Sequence, residues 1–339
     1  MQYIIACNTT TEIMKIDKFD IKGLHGRFNF KAKLDRNVNI FVGNNGSYKS
    51  SLLNILSILL QRVSLQEKYA VDEAVVTLAG PQGLIGYRRI KGTLADLEER
   101  AKDEHSVSRI VDKIKKDFGS ETKMNITFGA EQYTYTLEGE KCVENDIKQK
   151  LCTDFISTFD VVDNGQDKHG TLLDAQLDKL QSNYSFYLSD LAKQMTDIID
   201  QEGSITKNML DQINGRKNLM LNFVNEAFSK TGKQLIPDQG RLTFRFENGK
   251  TISSEHLSAG EKQLMIILLT VLLQDGKECV VFLDEPEISL HVSWQYELIN
   301  MLTALNPSAQ FIITTHSPSI FADGWGDKIM YMEDITQSV

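Results

Sequence analysis

The sequence predicts an α/β fold in which a mostly parallel sheet lies buried between helices. Three segments, residues 38–42, 279–284 and 309–315, are almost continuously apolar, as strands covered on both faces are. Segments with the apolar spacing of helices follow the first two, at residues 50–63 and 287–305. Buried strands that alternate with helices are typical of α/β proteins.

Length and charge narrow the classes of protein further. A chain of 339 residues suits one large domain or two modest ones. The formal net charge of −9 does not favour nucleic acid as a direct partner, although local basic segments leave that alternative open. The longest apolar run, residues 264–273, is shorter than the roughly 18 residues that span a bilayer, so we expect no membrane association.

The cysteines indicate a reducing compartment. The four of them, Cys7, Cys142, Cys152 and Cys279, are scattered without a C-x-x-C pair. This pattern argues against a zinc site and against disulfides, and it predicts a cytoplasmic protein. Cys279 begins an apolar strand, so we expect it to be an unreactive core residue.

Two inserted regions separate the apolar strands. Residues 65–165 are mixed, and residues 124–128 and 133–137 are predicted to pair as an antiparallel hairpin. Residues 172–200 carry an apolar stripe with alternating steps of four and three, and a second helix is predicted at 206–229. The two helices form either a short antiparallel arm or amphipathic helices packed on the core.

Residues 43–51, directly after the apolar strand at 38–42, have the sequence pattern of a phosphate-binding loop. Its backbone N–H groups and the following helix would bind phosphate oxygens, Lys49 would contact the β and γ phosphates, and Ser50 would ligate Mg²⁺, with Ser51 as the alternative. Tyr48 stands where glycine is usual, which puts fast turnover in doubt. The candidate nucleotide-binding residues here are Gly43, Asn44, Asn45, Gly46, Ser47, Tyr48, Lys49, Ser50 and Ser51.

A second motif, Leu257-Ser258-Ala259-Gly260-Glu261, precedes a long apolar helix. A capping box explains Ser258 and Glu261 but not Gly260. In the functional interpretation, the Ser258 hydroxyl and the Gly260 N–H contact a γ-phosphate held by a second copy of the chain.

Acidic and histidine side chains follow the other apolar strands, at the carboxyl edge where ligands bind in α/β sheets. Asp284 is predicted to hold Mg²⁺ through water, and Glu285 to orient or deprotonate the attacking water. His316 is predicted to sense the γ-phosphate. Gln166, in a polar loop, is a third candidate metal ligand.

These motifs together resemble those of ABC-type ATPases related to Rad50, SMC and OLD proteins. Glu285-Pro286-Glu287 with Ser289-Leu290-His291, then Thr315-His316-Ser317-Pro318, is most similar to the OLD-like branch. The chain length and single inserted lobe are similar to Septu-type, PtuA-like ATPases of phage defence, which also occur in retron-linked modules. The resemblance covers residues 13–64 and 240–333 well and the middle poorly.

The resemblance implies an ABC-type P-loop ATPase head that dimerises around two MgATP. ATP and Mg²⁺ are the implied cofactors, and a nuclease effector is the implied partner, since the 23 residues after His316 leave no room for a Toprim nuclease domain. Nucleic acid would be contacted through that partner. Alternatives are a Rad50-like or SMC-like DNA-repair ATPase, a transporter subunit, and a slow scaffold that binds ATP without cycling.

The expected organisation is a single head over residues 1–339. Its nucleotide-binding core comprises residues 1–64 and 240–339. A β-rich insertion occupies 65–165, and a helical lobe or short arm occupies 166–232, together giving an antiparallel β subdomain and an inserted helical element.

Overall fold

The computed structural model describes residues 15–61, 69–79, 84–92, 124–128, 135–137, 140–142, 152–157, 171–238 and 241–338. These residues divide into two compact units. One unit comprises residues 1–34, 51–151 and 332–339, and the other comprises residues 35–50 and 152–331. The boundary passes through helix α1 (Lys49–Gln61), whose first two residues belong to the second unit.

The first unit contains a six-stranded antiparallel sheet with the order β16-β2-β1-β4-β5-β6. A separate two-stranded ribbon is formed by β7 and β8, and the short helix α6 (Met332–Ile335) precedes β16. The strands of this unit are β1 (Ile16–Leu24), β2 (Phe28–Lys33), β4 (Glu73–Leu78), β5 (Leu84–Gly92), β6 (Met124–Phe128), β7 (Tyr135–Leu137), β8 (Glu140–Cys142) and β16 (Thr336–Ser338).

The predicted hairpin between residues 124–128 and 133–137 is wrong. Of the strands that the structure describes, β6 pairs with β5 and β7 pairs with β8. Both segments do form strands, so their composition was informative. Pairing depends on which edge the rest of the sheet leaves available, and this cannot be read from one local pattern.

The second unit is built on a five-stranded sheet with the order β15-β3-β14-β13-β9, in which every neighbouring pair is parallel. A three-stranded antiparallel sheet with the order β10-β11-β12 accompanies it. The strands are β3 (Val38–Val42), β9 (Cys152–Ser157), β10 (Lys233–Asp238), β11 (Arg241–Phe246), β12 (Thr251–Ser253), β13 (Cys279–Asp284), β14 (Gln310–Thr315) and β15 (Ile329–Tyr331).

The described residues of the second unit include four long helices: α2 (Leu172–Glu202), α3 (Lys207–Phe228), α4 (Ala259–Leu273) and α5 (Val292–Leu305). Short 3₁₀ turns lie at Ser229–Thr231, Ser254–His256, Pro318–Ile320 and Gly326–Lys328. Strands β13 and β14 are buried along their whole length, and α4 is buried from Glu261 to Leu272. The continuous apolar runs in the sequence reflect this burial on all sides.

The apolar stripe of helix α2 packs on the core of this unit. Its members Leu173, Leu177, Tyr184, Tyr187 and Leu191 are buried in the same cluster as α4. Beyond Leu191 no residue of α2 is buried, although Met195 still packs, partly buried, against the same cluster. The packing of this stripe agrees with the amphipathic alternative for α2.

The caps of α2 explain where this helix begins and ends. Thr171 forms a capping box with Asp174, and Gly203 ends the helix in the left-handed conformation, with φ of 75°. Asp174 also accepts a salt bridge from Lys262 of α4, with a nitrogen–oxygen distance of 2.6 Å. The first turn of α2 is thereby tied to the helix that follows the Ser258 motif.

The cysteine prediction is wrong for one pair. Cys152 and Cys279 form a disulfide, with Cα atoms 4.6 Å apart. They are direct partners in the parallel register of β9 and β13, although 127 residues separate them in sequence. Spacing along the chain carries no information about such a cross-strand neighbour, which is why the sequence argument failed.

Within the described part of the chain, no helix combines the length and the apolar character that a bilayer span requires.

Candidate functional site

The predicted phosphate-binding loop lies between β3 and α1, with Lys49 as the first residue of the helix. Lys49 is 4% exposed, and its ammonium donates to the carbonyl oxygens of Gly43 (2.9 Å) and Asn44 (3.3 Å). Burial lowers the pKa of Lys49, and the nearby carboxylates Glu285, Asp284 and Glu287 oppose that shift. A buried ammonium that faces its own loop is well placed to neutralise a bound anion.

Two residues just before Lys49 have unusual features. The first, Tyr48, stands where a phosphate-binding loop normally has glycine. Tyr48 has φ of +66°, a conformation that side chains with a β-carbon rarely adopt. The backbone therefore takes the shape that glycine would normally supply, and Tyr48 carries the strain. The hydroxyl of Ser47 is buried without a hydrogen-bond partner among the described residues, which marks a place for an acceptor or donor from a ligand.

Ser50 and Asp284 lie together, although 234 residues separate them. The Ser50 hydroxyl donates to Asp284 Oδ1 at 2.9 Å, and the Thr314 hydroxyl donates to the same oxygen at 2.6 Å. Asp284 is 3% exposed at the end of the buried strand β13. A hydroxyl and a carboxylate are hard oxygen ligands of the kind that Mg²⁺ prefers.

The described residues contain no group of three or more His, Cys, Asp or Glu side chains that could hold a metal ion by themselves. A cation between Ser50 and Asp284 would take its remaining ligands from water and from phosphate oxygens. Mg²⁺ bound with nucleotides is commonly held in this way, by one or two protein ligands. The residues present therefore fit Mg²⁺ as a companion of a bound nucleotide.

Glu285 and His316 approach each other across two strand ends. His316 Nε2 lies 3.2 Å from Glu285 Oε1 and 2.6 Å from Lys49 Nζ. A neutral imidazole nitrogen either donates or accepts, so Nε2 can donate to Glu285 or accept from Lys49, but not both at once. The arrangement gives His316 two alternative partners on the same edge of the sheet.

The backbone of Glu285 is also unusual, with φ of +48°. Its N–H donates to the Thr314 carbonyl oxygen at 3.0 Å, so the turn after β13 is held by β14. Strain of this kind persists where surrounding contacts enforce it, and it is common at functional sites.

The motif at Ser258 is occupied by contacts within its own chain. Ser258 and Glu261 form a complete capping box at the start of α4, as the pattern S-x-x-E predicts. Glu261 is 2% exposed and also accepts from Lys233 Nζ, with both carboxylate oxygens at 2.8 Å. Burial raises the pKa of Glu261, but the hydrogen bonds from Lys233 and Ser258 outweigh it, so the pKa lies below its usual value.

Gly260 has a packing reason of its own. A β-carbon at this position would lie 2.2 Å from the Ser289 carbonyl oxygen, much closer than real β-carbons approach other atoms. Ser289 has φ of +67° in the Ser289-Leu290-His291 segment, and His291 caps helix α5. The glycine is therefore required by the close approach of two segments of one chain, whatever a second copy contributes.

The two remaining predicted residues are Gln166 and Ser51. Gln166 lies outside the described residues. Ser51 is the third residue of α1, and the hydroxyl that contacts Asp284 is that of Ser50.

Four residues that the motifs do not predict support the sheet-edge cluster and the Ser258 motif. Thr314 bonds to Asp284, and Lys233 bonds to Glu261. Glu287 and Gln295 contact the turn that carries His316. Glu287 belongs to the Glu285-Pro286-Glu287 motif, whose resemblance to the OLD-like branch predicts no role for the last residue. No local pattern pointed to the other three.

Comparison with solved structures identifies the architecture. The structure titled "Crystal structure of the SmcHead bound to the C-winged helix domain of ScpA" aligns with a TM-score of 0.51, covering 96% of this chain and 97% of that chain at 14% identity. The fold is therefore that of an SMC head domain. The predicted fold class, with its parallel core sheet, antiparallel β-sheets and helical insertion, is confirmed.

Sequence comparison finds one family model and two named proteins that are similar to parts or most of this chain. Residues 154–322 match the family described as "AAA domain, putative AbiEii toxin, Type IV TA system". The Vibrio cholerae protein named "Retron Vc95 probable ATPase" is 22% identical, over 97% of this chain and 74% of that protein. The Escherichia coli "Retron Ec83 probable ATPase" is 35% identical, over 22% of this chain and 16% of that protein.

Proposed function

We propose that this ABC-type head binds MgATP and hydrolyses it. The observation that carries the proposal is the convergence of Lys49, Ser50, Asp284, Glu285 and His316 at the carboxyl edge of one parallel sheet. The chain brings these side chains together from positions far apart in sequence. An ordinary cluster of surface ion pairs is the alternative interpretation. It does not explain why Lys49 and Asp284 are buried at the edge of the sheet where ligands bind in α/β proteins.

Each residue has a role that its position supports. Lys49 and the N–H groups of the loop bind the β and γ phosphates, with Ser47 adding its buried hydroxyl. Ser50 and Asp284 hold the cation, which neutralises phosphate charge. Glu285 orients and deprotonates the attacking water, and His316 contacts the γ-phosphate from the neighbouring strand.

We further propose that two copies enclose two MgATP, with Ser258 and the N–H of Gly260 completing each site from the other copy. Ser258 is exposed at the amino end of the 15-residue helix α4, where the helix dipole favours an anion. The Ser289-Leu290-His291 segment packs against Gly260, so it would lie beside the same interface. A displacement of the Gly260 segment would then displace the Ser289-Leu290-His291 segment as well.

The relatives suggest the setting in which such a switch works. Because proteins named retron ATPases resemble this chain, we propose that its nucleotide state controls an effector chain, a nuclease, in cytoplasmic defence against phage. Nucleic acid would be contacted through that partner, since the net charge of −9 disfavours direct binding.

The test is purification of the Glu285→Gln protein from its native host in the presence of ATP. This variant should keep MgATP bound, so an ATP-dependent dimer with a stoichiometric nuclease or nucleic acid is the expected result. A monomer that binds no ATP would reject the nucleotide proposal. A dimer without any partner would reject only the effector proposal and would make DNA-stimulated turnover the next measurement.

One observation favours a second candidate, a slow ATP-dependent scaffold. The positive φ of Tyr48 places strain in the loop that would hold the phosphates. Tight MgATP binding by the wild-type chain with negligible phosphate release over hours would support the scaffold over the cycling ATPase.

A further inference from the structure

We propose that Glu287 is a positioning residue that holds His316 against Glu285 by fixing the backbone of the turn at residues 315–317. The proposal rests on the hydrolytic function proposed above and adds a residue for which the motifs predicted no role. Glu287 would act through His316 and would not itself touch the nucleotide.

The contacts of one carboxylate oxygen carry the argument. Glu287 Oε1 accepts from the Thr315 hydroxyl (2.7 Å), the His316 N–H (2.7 Å) and the Ser317 N–H (3.2 Å). Thr315 Oγ1 in turn accepts from the Ser317 N–H at 2.9 Å. Three donors from consecutive residues on one charged acceptor restrain the turn more strongly than neutral hydrogen bonds would.

A second side chain joins the same turn to the same segment. The Gln295 side chain donates to the carbonyl oxygens of Glu287 (3.3 Å) and Leu290 (3.0 Å). Its own oxygen accepts from the Ser317 hydroxyl at 2.7 Å. The turn after β14 is thus bonded at both its backbone and its side chains to the segment after β13.

The imidazole itself is weakly restrained in comparison. The His316 side chain is 33% exposed, and its Nε2 has the two alternative partners Glu285 and Lys49. Its placement relative to Glu285 therefore depends on the backbone of the turn. Because Glu285 and Glu287 flank the buried Pro286, one short segment carries both the predicted base and the group that holds His316.

The chemistry of the carboxylate suggests how to separate position from charge. Oε1 makes all three contacts, while Oε2 is buried without a hydrogen-bond partner among the described residues. Glutamine can keep an acceptor at Oε1, whereas alanine removes it. Glu287→Gln is therefore the conservative variant, and Glu297→Ala, an exposed glutamate on α5, is the matched control.

We expect Glu287→Ala to lower kcat for ATP about 10- to 100-fold with little change in KM, since residues that orient a reacting group act at this scale. The kcat of Glu287→Gln should stay within about 5-fold of the wild-type value. The kcat of the control, Glu297→Ala, should equal the wild-type value. When His316 is already replaced by alanine, adding Glu287→Ala should lower kcat by less than about a further 2-fold, because Glu287 acts through the His316 side chain. An equal loss in both backgrounds would overturn the proposal.

A measurement that does not depend on ATP turnover distinguishes failure of the positioning role of Glu287 from failure of the proposed ATPase function. Amide hydrogen exchange of peptides covering residues 311–321 should speed up in Glu287→Ala, because the His316 N–H loses its acceptor and the Ser317 N–H loses one of its two acceptors. Unchanged exchange would refute the positioning role even if turnover fell. A wild-type chain without turnover would reject the ATPase, while exchange would still decide whether Glu287 holds the turn.

Discussion

At the carboxyl edge of the parallel sheet, side chains from three strand ends contact one another, whereas the motif Leu257-Ser258-Ala259-Gly260-Glu261, the signature motif below, has a capping box within its own segment. Ser50 and Asp284 are 234 residues apart in the first region. Ser258 and Glu261 form a capping box within four residues in the second. The first cluster exists only because the sheet assembles it, whereas the capping box forms with its own helix.

This difference changes what each motif demonstrates. A local capping box and a close approach to Ser289 account for Ser258, Gly260 and Glu261 without a second copy of the chain. Nothing local accounts for a buried Lys49 beside His316 and Asp284. The case for nucleotide chemistry therefore depends on the sheet edge, and the case for a composite dimer site depends on experiments at the signature.

The largest expected effect is at the sheet edge. Glu285→Gln should lower ATP turnover about 100- to 1,000-fold, or roughly 3–4 kcal/mol in the barrier, because the amide cannot accept a proton from water. MgATP affinity should change little, since Lys49, Ser50 and Asp284 remain. Steady-state phosphate release and equilibrium ATP binding measure the two quantities. Turnover equal to that of a Glu297→Gln control would remove Glu285 from the mechanism.

Glu261→Gln tests whether the signature region is stabilised from within. Removing the charge leaves Lys233 without its buried partner, and we expect the free energy of unfolding to fall by about 3 kcal/mol. Urea denaturation measures this loss. A change below about 0.5 kcal/mol would show that the pair is unimportant for stability.

The same pair predicts a pH dependence. Because the folded-state pKa of Glu261 lies below its unfolded value, the stabilisation is present above the unfolded pKa, about 4.3, and is lost as the pH falls through the folded pKa. Wild type should therefore lose more stability than Glu261→Gln between about pH 5 and pH 3. Parallel acid-denaturation curves would contradict this assignment.

Gly260→Ala sharpens the comparison at the signature. The new β-carbon would meet the Ser289 carbonyl, so we expect a loss of about 1–3 kcal/mol in stability as the segments move apart. Gly215→Ala is the matched control, because this helical glycine of α3 has no heavy atom within 4 Å of the added carbon. The control should gain up to about 1 kcal/mol. Equal effects would show that Gly260 is not needed for packing.

The smallest effect is expected in the phosphate loop. Tyr48→Gly should relieve left-handed strain and raise stability by about 1 kcal/mol at most, offset in part by the entropy of glycine. If the strain slows the cycle, turnover should rise as well. Asn45→Gly, at a neighbouring loop position without positive φ, should only destabilise. Loss of stability in Tyr48→Gly would show that the tyrosine side chain holds the loop.

Periodicity predicted the central elements closely. The strand at 279–284 has the expected bounds, and the helical stripe predicted over 172–200 lies in helix α2, Leu172–Glu202. Its stripe, spaced by three and four, is buried as far as Leu191. These features succeed because they depend on local caps and on whether a segment is buried, both of which leave a pattern in neighbouring residues.

Partner choice among strands was not predictable in the same way. The hairpin at 124–137 was assigned the wrong pairing, and the Cys152–Cys279 bond was missed. Glu287, Gln295 and Lys233 were overlooked for the same reason. Each acts on a residue whose position follows from strand order and not from adjacent sequence.

The sequence by itself determined the fold class, the buried strands, the helix caps and the chemical types of residue at the sheet edge. Apolar runs, cap residues and glycines act over a few residues, so their consequences can be read locally. Only the tertiary structure decided that Glu287 bonds to the turn of His316, that Gly260 lies against Ser289, and that Cys152 faces Cys279. Those contacts depend on strand order and register, which the whole chain sets through the burial of its apolar faces.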